Sequence, residues 1–230
     1  MKWWPWSNRK PDVSIGQADF VVFDLETSGL DPSCDDILSF GAVRMHGARI
    51  DLGSAYEALV RPVGHVPSAE NVRIHQLTPA QLAEKPPLSE ALPAFLEYCR
   101  DGVLTGWHVE LDLAFLRAWA KRLGLPPPRN RSLDVLGLYL SIRGGRASQL
   151  LEELPLKDAT LYSVARALGV SPKGAHDAQG DAFLTAQVLQ RFLSILRVSR
   201  QGEEPSLDPV LRLADPSSHA RARAAPQPAF

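Results

Sequence analysis

Apolar and polar positions along the chain alternate between a strand-like and a helix-like period. Residues 20–23 read FVVF, an uninterrupted run of β-forming residues that predicts a central strand covered on both faces. The turn signal SGLDPS follows at residues 28–33. Two longer runs, ILSFGAVRMH from Ile37 and ARIDLGSAYEALV from Ala48, meet near Gly47 and predict an antiparallel meander with the first strand. Residues 62–70 read as loop, and Thr78-Pro79 reads as a helix start, with Thr as cap and Pro at the first helical position. Residues 88–100 carry Leu88, Leu92, Phe95, Leu96 and Cys99 at helical spacing. A second short buried strand is expected at residues 103–107. A helix at 111–123 should then close at Gly124, just before three prolines. Ser132 is expected to cap a further helix and Gly144-Gly145 to break the chain. Residues 161–168 predict a short helix stopped by Gly169, and a long helix should run from about Asp177 to about Arg197.

This order of elements describes an α/β domain with a mixed sheet. The expected boundaries are an N-terminal Trp-rich tail at 1–17, the domain at 18–198 and a disordered tail at 199–230, where Pro, Ala, Arg, Ser and Glu replace periodic apolar residues. Composition narrows the setting. The only cysteines are Cys34 and Cys99, in no metal or redox spacing, so a disulfide framework is not expected and a reducing cytoplasm is the natural compartment. No apolar run is long enough to span a bilayer, so no transmembrane segment is expected. The start, MKWWPWSNRKP, lacks the apolar core of a signal peptide; its tryptophans read as part of a loose tail rather than an interfacial anchor. The formal net charge of -1 excludes a global basic field. Locally, residues 117–146 hold Arg117, Lys121, Arg122, Arg129, Arg131, Arg143 and Arg146 against the single acid Asp134. That stretch could track a phosphate backbone, although solvated helix faces explain it as simply.

The candidate chemistry begins where the first strand ends, at Asp24-Leu25-Glu26. Strand alternation points Asp24 and Glu26 to one side, roughly 6.5–7 Å apart along the backbone, and leaves Leu25 for the core. Two carboxylates at the end of a buried strand repel each other and are costly to desolvate, and a divalent cation relieves both costs. Exposed acids at a strand end are an equally simple reading of this pair alone. A second acid, Asp112, falls in the first turn of a helix, where the helix dipole already favours negative charge. The third segment is HDAQGDA at residues 176–182. On one helix His176 and Asp181 would lie about 140° apart on the wheel. They converge if His176 belongs to a loop, as the sequence SPKG at 171–174 supports, and Asp181 to the first turns of the helix. Ala178, Gly180 and Ala182 would let that helix approach the sheet closely, and an imidazole in such a loop is a candidate general base.

Taken together, FVVFDLETSGLDP, GWHVELDLAFL and HDAQGDA resemble the three motifs of the DnaQ-like (DEDDh) 3′–5′ exonucleases. The segment IHQLTP at 74–79 is similar to the I-H-G-I-T element between the first two. The resemblance spans residues 18–196 and implies a ribonuclease H-like fold, a mixed five-stranded sheet flanked by helices, with hydrolysis of phosphodiester bonds at nucleic-acid 3′ ends. It implies two divalent ions, Mg²⁺ or Mn²⁺, with Asp24, Glu26 and Asp181 as ligands, Asp112 holding the second ion, and His176 as general base. Thr27, His75 and His108 fall in segments that contact the terminal nucleotide. The implied partners are nucleic acid 3′ ends and a polymerase or repair assembly. The chain departs from the pattern at Val109, where Asn is usual, at Leu111 for Phe, and at Gln76 for Gly; these bear on how a nucleotide is held rather than on the acids. An apolar strand ending in D-x-[acid]-x-T also resembles the haloacid-dehalogenase phosphatases, but those carry Asp where Glu26 stands and a paired acidic motif where Asp181 stands alone. A catalytically silent binding module is the remaining alternative, and retention of four acids and a histidine argues against it.

Overall fold

The computed structural model describes residues 12–64, 69–144, 159–172 and 176–215. The tryptophan-rich start (1–11), Gly145, Arg146, residues 173–174 of the expected loop, and residues 216–230 of the expected tail lie outside the described residues. Strands β1 (Asp19–Thr27), β2 (Ile37–His46), β3 (Arg49–Leu59), β4 (Val103–Gly106) and β5 (Ser132–Asp134) form one sheet in the order β3-β2-β1-β4-β5. The β1–β2 and β2–β3 pairs are antiparallel, and β1–β4 and β4–β5 are parallel. The helices are α1 (Ala69–His75), α2 (Pro79–Leu82), α3 (Leu88–Cys99), α4 (Val109–Arg122), α5 (Val135–Gly144), α6 (Leu161–Ala167), α7 (Ala178–Ser199) and α8 (Leu207–Ala214). This is the mixed, helix-flanked five-stranded sheet that the sequence led us to expect.

The alternation of β1 decides what lies on each face. Phe20 and Val22 join a cluster with Leu138, Tyr139, Leu184, Val188 and Phe192 from α5 and α7. Val21, Phe23 and Leu25 face the other way, among Leu92 and Phe95 of α3 and Leu113 and Leu116 of α4. The strand is thus buried on both sides, and Asp24 and Glu26 emerge on the face covered by α7.

At its N-terminus that helix comes against the sheet backbone to backbone. Gly41 of β2 pairs with Asp24 of β1, and a Cβ placed on it would lie 2.0 Å from the backbone carbon of Ala178. Ala178 and Ala182 are themselves buried, so the small residues at the start of α7 serve close approach, as their pattern predicts.

Three expectations are corrected. Ser132 does not cap a helix but begins β5, which is only three residues long and too short to show a period. The cap of α5 comes instead from Asp134, whose Oδ1 accepts the N–H of Gly137 at 3.0 Å. Residues 69–75, partly assigned to a loop, are α1. The domain boundaries at 18 and 198 are both too narrow. Residues 207–214 form α8 rather than disordered tail, burying Leu207, Val210 and Ala214 against α5 and β5. Its approach is paired with residues 12–17: the N–H of Ile15 donates to Pro205 O at 3.0 Å, and that of Leu207 donates to Val13 O at 2.8 Å. Each segment alone has too few apolar residues to fold, and together they bury Ile15 and Leu207.

Candidate active site

The carboxyl ends of β1, β4 and β5 and the N-termini of α4 and α7 meet at one edge of the sheet. Asp177 caps α7 by accepting the N–H of Gly180 at 3.3 Å, which fixes Asp181 in the first turn. His176 precedes the cap in a turn, at φ 62°, so the loop-plus-helix arrangement that brings these two residues together is present. Asp24, Glu26 and Asp181 each offer a carboxylate oxygen within 4.8 Å of one another. Two of these residues come from a strand and one from a helix more than 150 positions later in sequence.

The electrostatics of this trio favour a cation. Desolvation raises the Asp24 acid well above the ordinary carboxylate range, and the charges of Asp112, Glu26, Asp181 and Asp177 add to it. Glu26 is lifted from 4.5 to about 7, first by burial and then by Asp181 and Asp177. Asp181 is raised by burial, against a hydrogen bond from Tyr162 that favours its charged form. Among the described residues, no basic side chain acts on Asp24 or Glu26. Oxygen donors at this spacing, under mutual repulsion, fit a hard divalent ion.

Asp112 stands apart from the trio. It projects from the first turn of α4, where the backbone of its own residue and of Leu25 favours its charged form. Desolvation nevertheless raises it well above the ordinary range, with Glu26 and Asp134 adding to the effect. It is close enough to act on Asp24 but is not one of the three converging groups.

Of the other expected residues, Thr27 and His108 lie at this edge, at the end of β1 and just after β4, and no contact joins His75 to it among the described residues. Thr27 ends β1 beside a register shift, and its hydroxyl donates to Gly29 O at 2.6 Å. His75, at the end of α1, is buried, and its Nδ1 accepts the N–H of Leu77 at 3.0 Å. The proton therefore sits on Nε2, which is buried without a hydrogen-bond partner among the described residues. His108 is the exposed left-handed residue before α4, at φ 61°. Gln76, the residue after His75, is at φ 59°. Glycine enters this conformation freely, so Gln76 preserves the backbone turn of the family pattern despite its side chain. Gln76, His108 and His176 are three of the four non-glycine residues with positive φ among the described residues, and such strain concentrates at functional sites.

Two residues here went unnoticed in the sequence. Asp134, at the end of β5, faces Asp112 electrostatically and accepts the N–H of Gly137, while His108 and the backbone of Leu136 favour its charged form. Tyr162 of α6 donates its hydroxyl to Asp181. Neither lies in a motif segment, and no periodicity marks them. Part of the basic stretch makes contacts within the chain. Arg131 pairs with Asp208 of α8 at 2.8 Å, Arg117 with Glu110 at 3.5 Å, and Arg122 stacks over Trp119 at 4.5 Å.

The fold and the acidic cluster are the arrangement that the sequence motifs led us to expect. The chain belongs to the exonuclease (RNase_T) family, whose match covers residues 21–189. It is 32% identical over 177 residues to the DNA polymerase III epsilon subunit of Aquifex aeolicus, covering 77% of this chain and 81% of that protein. It is 35% identical over 191 residues to the PolC-type DNA polymerase III of Thermotoga maritima, covering 83% of this chain but 13% of the relative's length. Among solved structures, exonuclease I of E. coli in complex with a dT13 oligonucleotide superposes with a TM-score of 0.71 at 20% identity, over 80% of this chain and 43% of that one. At that identity the likeness speaks for the fold. Membership of the family implies dependence on a divalent metal, for which the acidic cluster is present. No helix among the described residues is long and apolar enough to cross a membrane.

Proposed function

We propose that this chain is a 3′–5′ exonuclease that hydrolyses phosphodiester bonds at DNA 3′ ends, with single-stranded or mismatched ends preferred, and releases nucleoside monophosphates. The observation that carries the reading is the convergence of Asp24, Glu26 and Asp181 within 4.8 Å beside His176. Asp24, Glu26 and Asp181 would hold one divalent ion, and Asp24 with Asp112 a second, Mg²⁺ or Mn²⁺ in either place. When bound, such ions lower the pKa of water and neutralise charge on a departing oxygen. The residues supply the rest. His176, exposed at the mouth of the site, takes the proton from the attacking water. The Nε2–H of His75, without a partner among the described residues, donates to an acceptor on the terminal nucleotide, which removes the cost of leaving it buried and unpaired. His108 and Thr27 line the same edge as further nucleotide contacts.

DNA is favoured over RNA because the relatives are named as DNA polymerase III subunits and the neighbouring exonuclease I was solved with an oligodeoxynucleotide. The epsilon-subunit relative also supports a polymerase assembly as partner. The test is to incubate the protein and Mn²⁺ with 5′-labelled single-stranded DNA, a mismatched duplex and RNA of one sequence. Ladders that shorten from the 3′ end, fastest on the DNA substrates, are expected. Faster loss of RNA would identify an exoribonuclease, and no cleavage with no metal binding would identify a silent module.

A further inference from the structure

Tyr162 lies outside the motif segments, and the chemistry above gives it no role. Its position is well fixed. Thr160 and Ser163 form a reciprocal cap at the start of α6: the N–H of Ser163 donates to Thr160 Oγ1 at 3.2 Å, and that of Thr160 donates to Ser163 Oγ at 3.0 Å. Tyr162, in the turn so held, reaches across to α7. Its hydroxyl lies 2.6 and 2.5 Å from the two oxygens of Asp181 and donates to that carboxylate. The same phenol oxygen accepts the backbone N–H of His176 at 2.8 Å. The His176 ring meets the Tyr162 ring edge-on, with centroids 5.0 Å apart, and its Nδ1 lies 3.5 Å from the hydroxyl.

One hydroxyl thus engages two groups with different tasks. It carries a single proton, so it donates to one carboxylate oxygen at a time and leaves lone pairs of Asp181 available to a cation. The turn bearing His176 needs a tether, because a left-handed conformation disfavours a residue with a Cβ and the side chain is exposed. We propose that Tyr162 is a positioning residue for this centre, setting the carboxylate of Asp181 and the turn of His176 relative to each other through its hydroxyl. The inference rests on the exonuclease reading for its purpose but not for its geometry.

The test compares Tyr162→Phe, which removes only the hydroxyl, with Tyr162→Leu, which also removes the ring. Mn²⁺ binding is measured by titration calorimetry without DNA, and exchange of the His176 amide by NMR. Loss of a group that orients a metal-holding carboxylate costs about 10–100-fold in metal affinity or activity. Tyr162→Phe is expected to lose Mn²⁺ affinity in that range, to exchange the His176 amide faster, and to lower kcat with little change in KM for a DNA 3′ end. Tyr162→Leu should lose no less. A folded Tyr162→Phe with wild-type Mn²⁺ affinity and His176 exchange overturns the proposal, as does loss confined to Tyr162→Leu. Asp24→Ala is assayed alongside. DNA release by that variant at the wild-type rate would refute the exonuclease reading, while the Mn²⁺ and amide measurements still decide the role of Tyr162.

Discussion

Replacing Gly41 by Ala places one methyl group between β2 and the start of α7. The added Cβ would lie 2.0 Å from the backbone carbon of Ala178 and 2.2 Å from its oxygen and from Gln179 N. These are backbone atoms, so no side chain can rotate away. Ordinary contact begins at 3.4 Å, and the helix must retreat by about 1.4 Å to reach it. Overpacking of this kind costs about 1–3 kcal/mol. For a domain of this size that is a fall in Tm of roughly 2–4 °C per kcal/mol. The chemical effect should be larger. Asp181 lies one turn beyond Ala178 on the same helix, so its carboxylate moves away from Asp24 and Glu26, and a misplacement near 1 Å costs about 10²-fold in rate. Gly53→Ala is the control, because its Cβ would meet only Asp51 Oδ1, at 3.4 Å, on the edge strand. Melting curves, Mn²⁺ titration and release of mononucleotides are measured on both. Gly41→Ala should remain folded yet lose metal affinity and turnover, and Gly53→Ala should match wild type. Wild-type metal affinity and turnover in Gly41→Ala would refute the claim that close packing of α7 on β2 assembles the site.

Other perturbations act on separate parts of the account. Glu26 binds its proton more tightly in the folded than in the unfolded chain, so this contribution to stability is fully present below 4.5 and is lost as pH rises through about 7. Asp24, Asp112 and Asp181 shift in the same direction. The metal-free protein should therefore lose Tm across that window, and saturating Mn²⁺ should flatten the loss; a metal-free Tm that rises instead would contradict the burial of these acids. Gln76→Gly should raise stability by roughly 1 kcal/mol, read as a denaturation midpoint, because it relieves a left-handed residue at the end of α1; an unchanged or lower midpoint would show that the Gln76 side chain stabilises the turn. Leu207→Ala should cost about 2–5 kcal/mol if α8 belongs to the folded unit, whereas a loss near zero would place it outside.

The convergence of Asp24, Glu26 and Asp181 was more legible in the sequence than the boundaries of the fold. The alternation FVVFDLE was sufficient to place Asp24 and Glu26 on one face and Leu25 on the other, because period two survives in a strand buried on both sides. The wheel angle between His176 and Asp181 was likewise enough to require a loop for the histidine. What stayed hidden depended on partners distant in sequence. β5 has three residues and is recognisable only through its pairing with β4. Residues 12–17 are too short to show a period and are held through Pro205 and Leu207, whereas Leu207, Val210, Leu211 and Ala214 do stand at helical spacing, a single short stripe masked by the Pro- and Ala-rich composition around it. Tyr162 reaches Asp181 from another helix, and no local spacing encodes that contact. In the basic stretch, which reads first as solvated helix faces, Arg131 and Arg122 also make contacts with Asp208 of α8 and with Trp119.

The central claim is that the acidic trio holds the metal on which hydrolysis depends. Asp24 touches it most fully, since Asp112, Glu26 and Asp181 all act on it. Asp24→Asn keeps the shape of the side chain and removes the charge. The decisive measurement is Mn²⁺-dependent release of mononucleotides from 5′-labelled single-stranded DNA by this variant, beside its melting curve. The account predicts a folded protein, no less stable than metal-free wild type, with release abolished. Wild-type release by folded Asp24→Asn would contradict it.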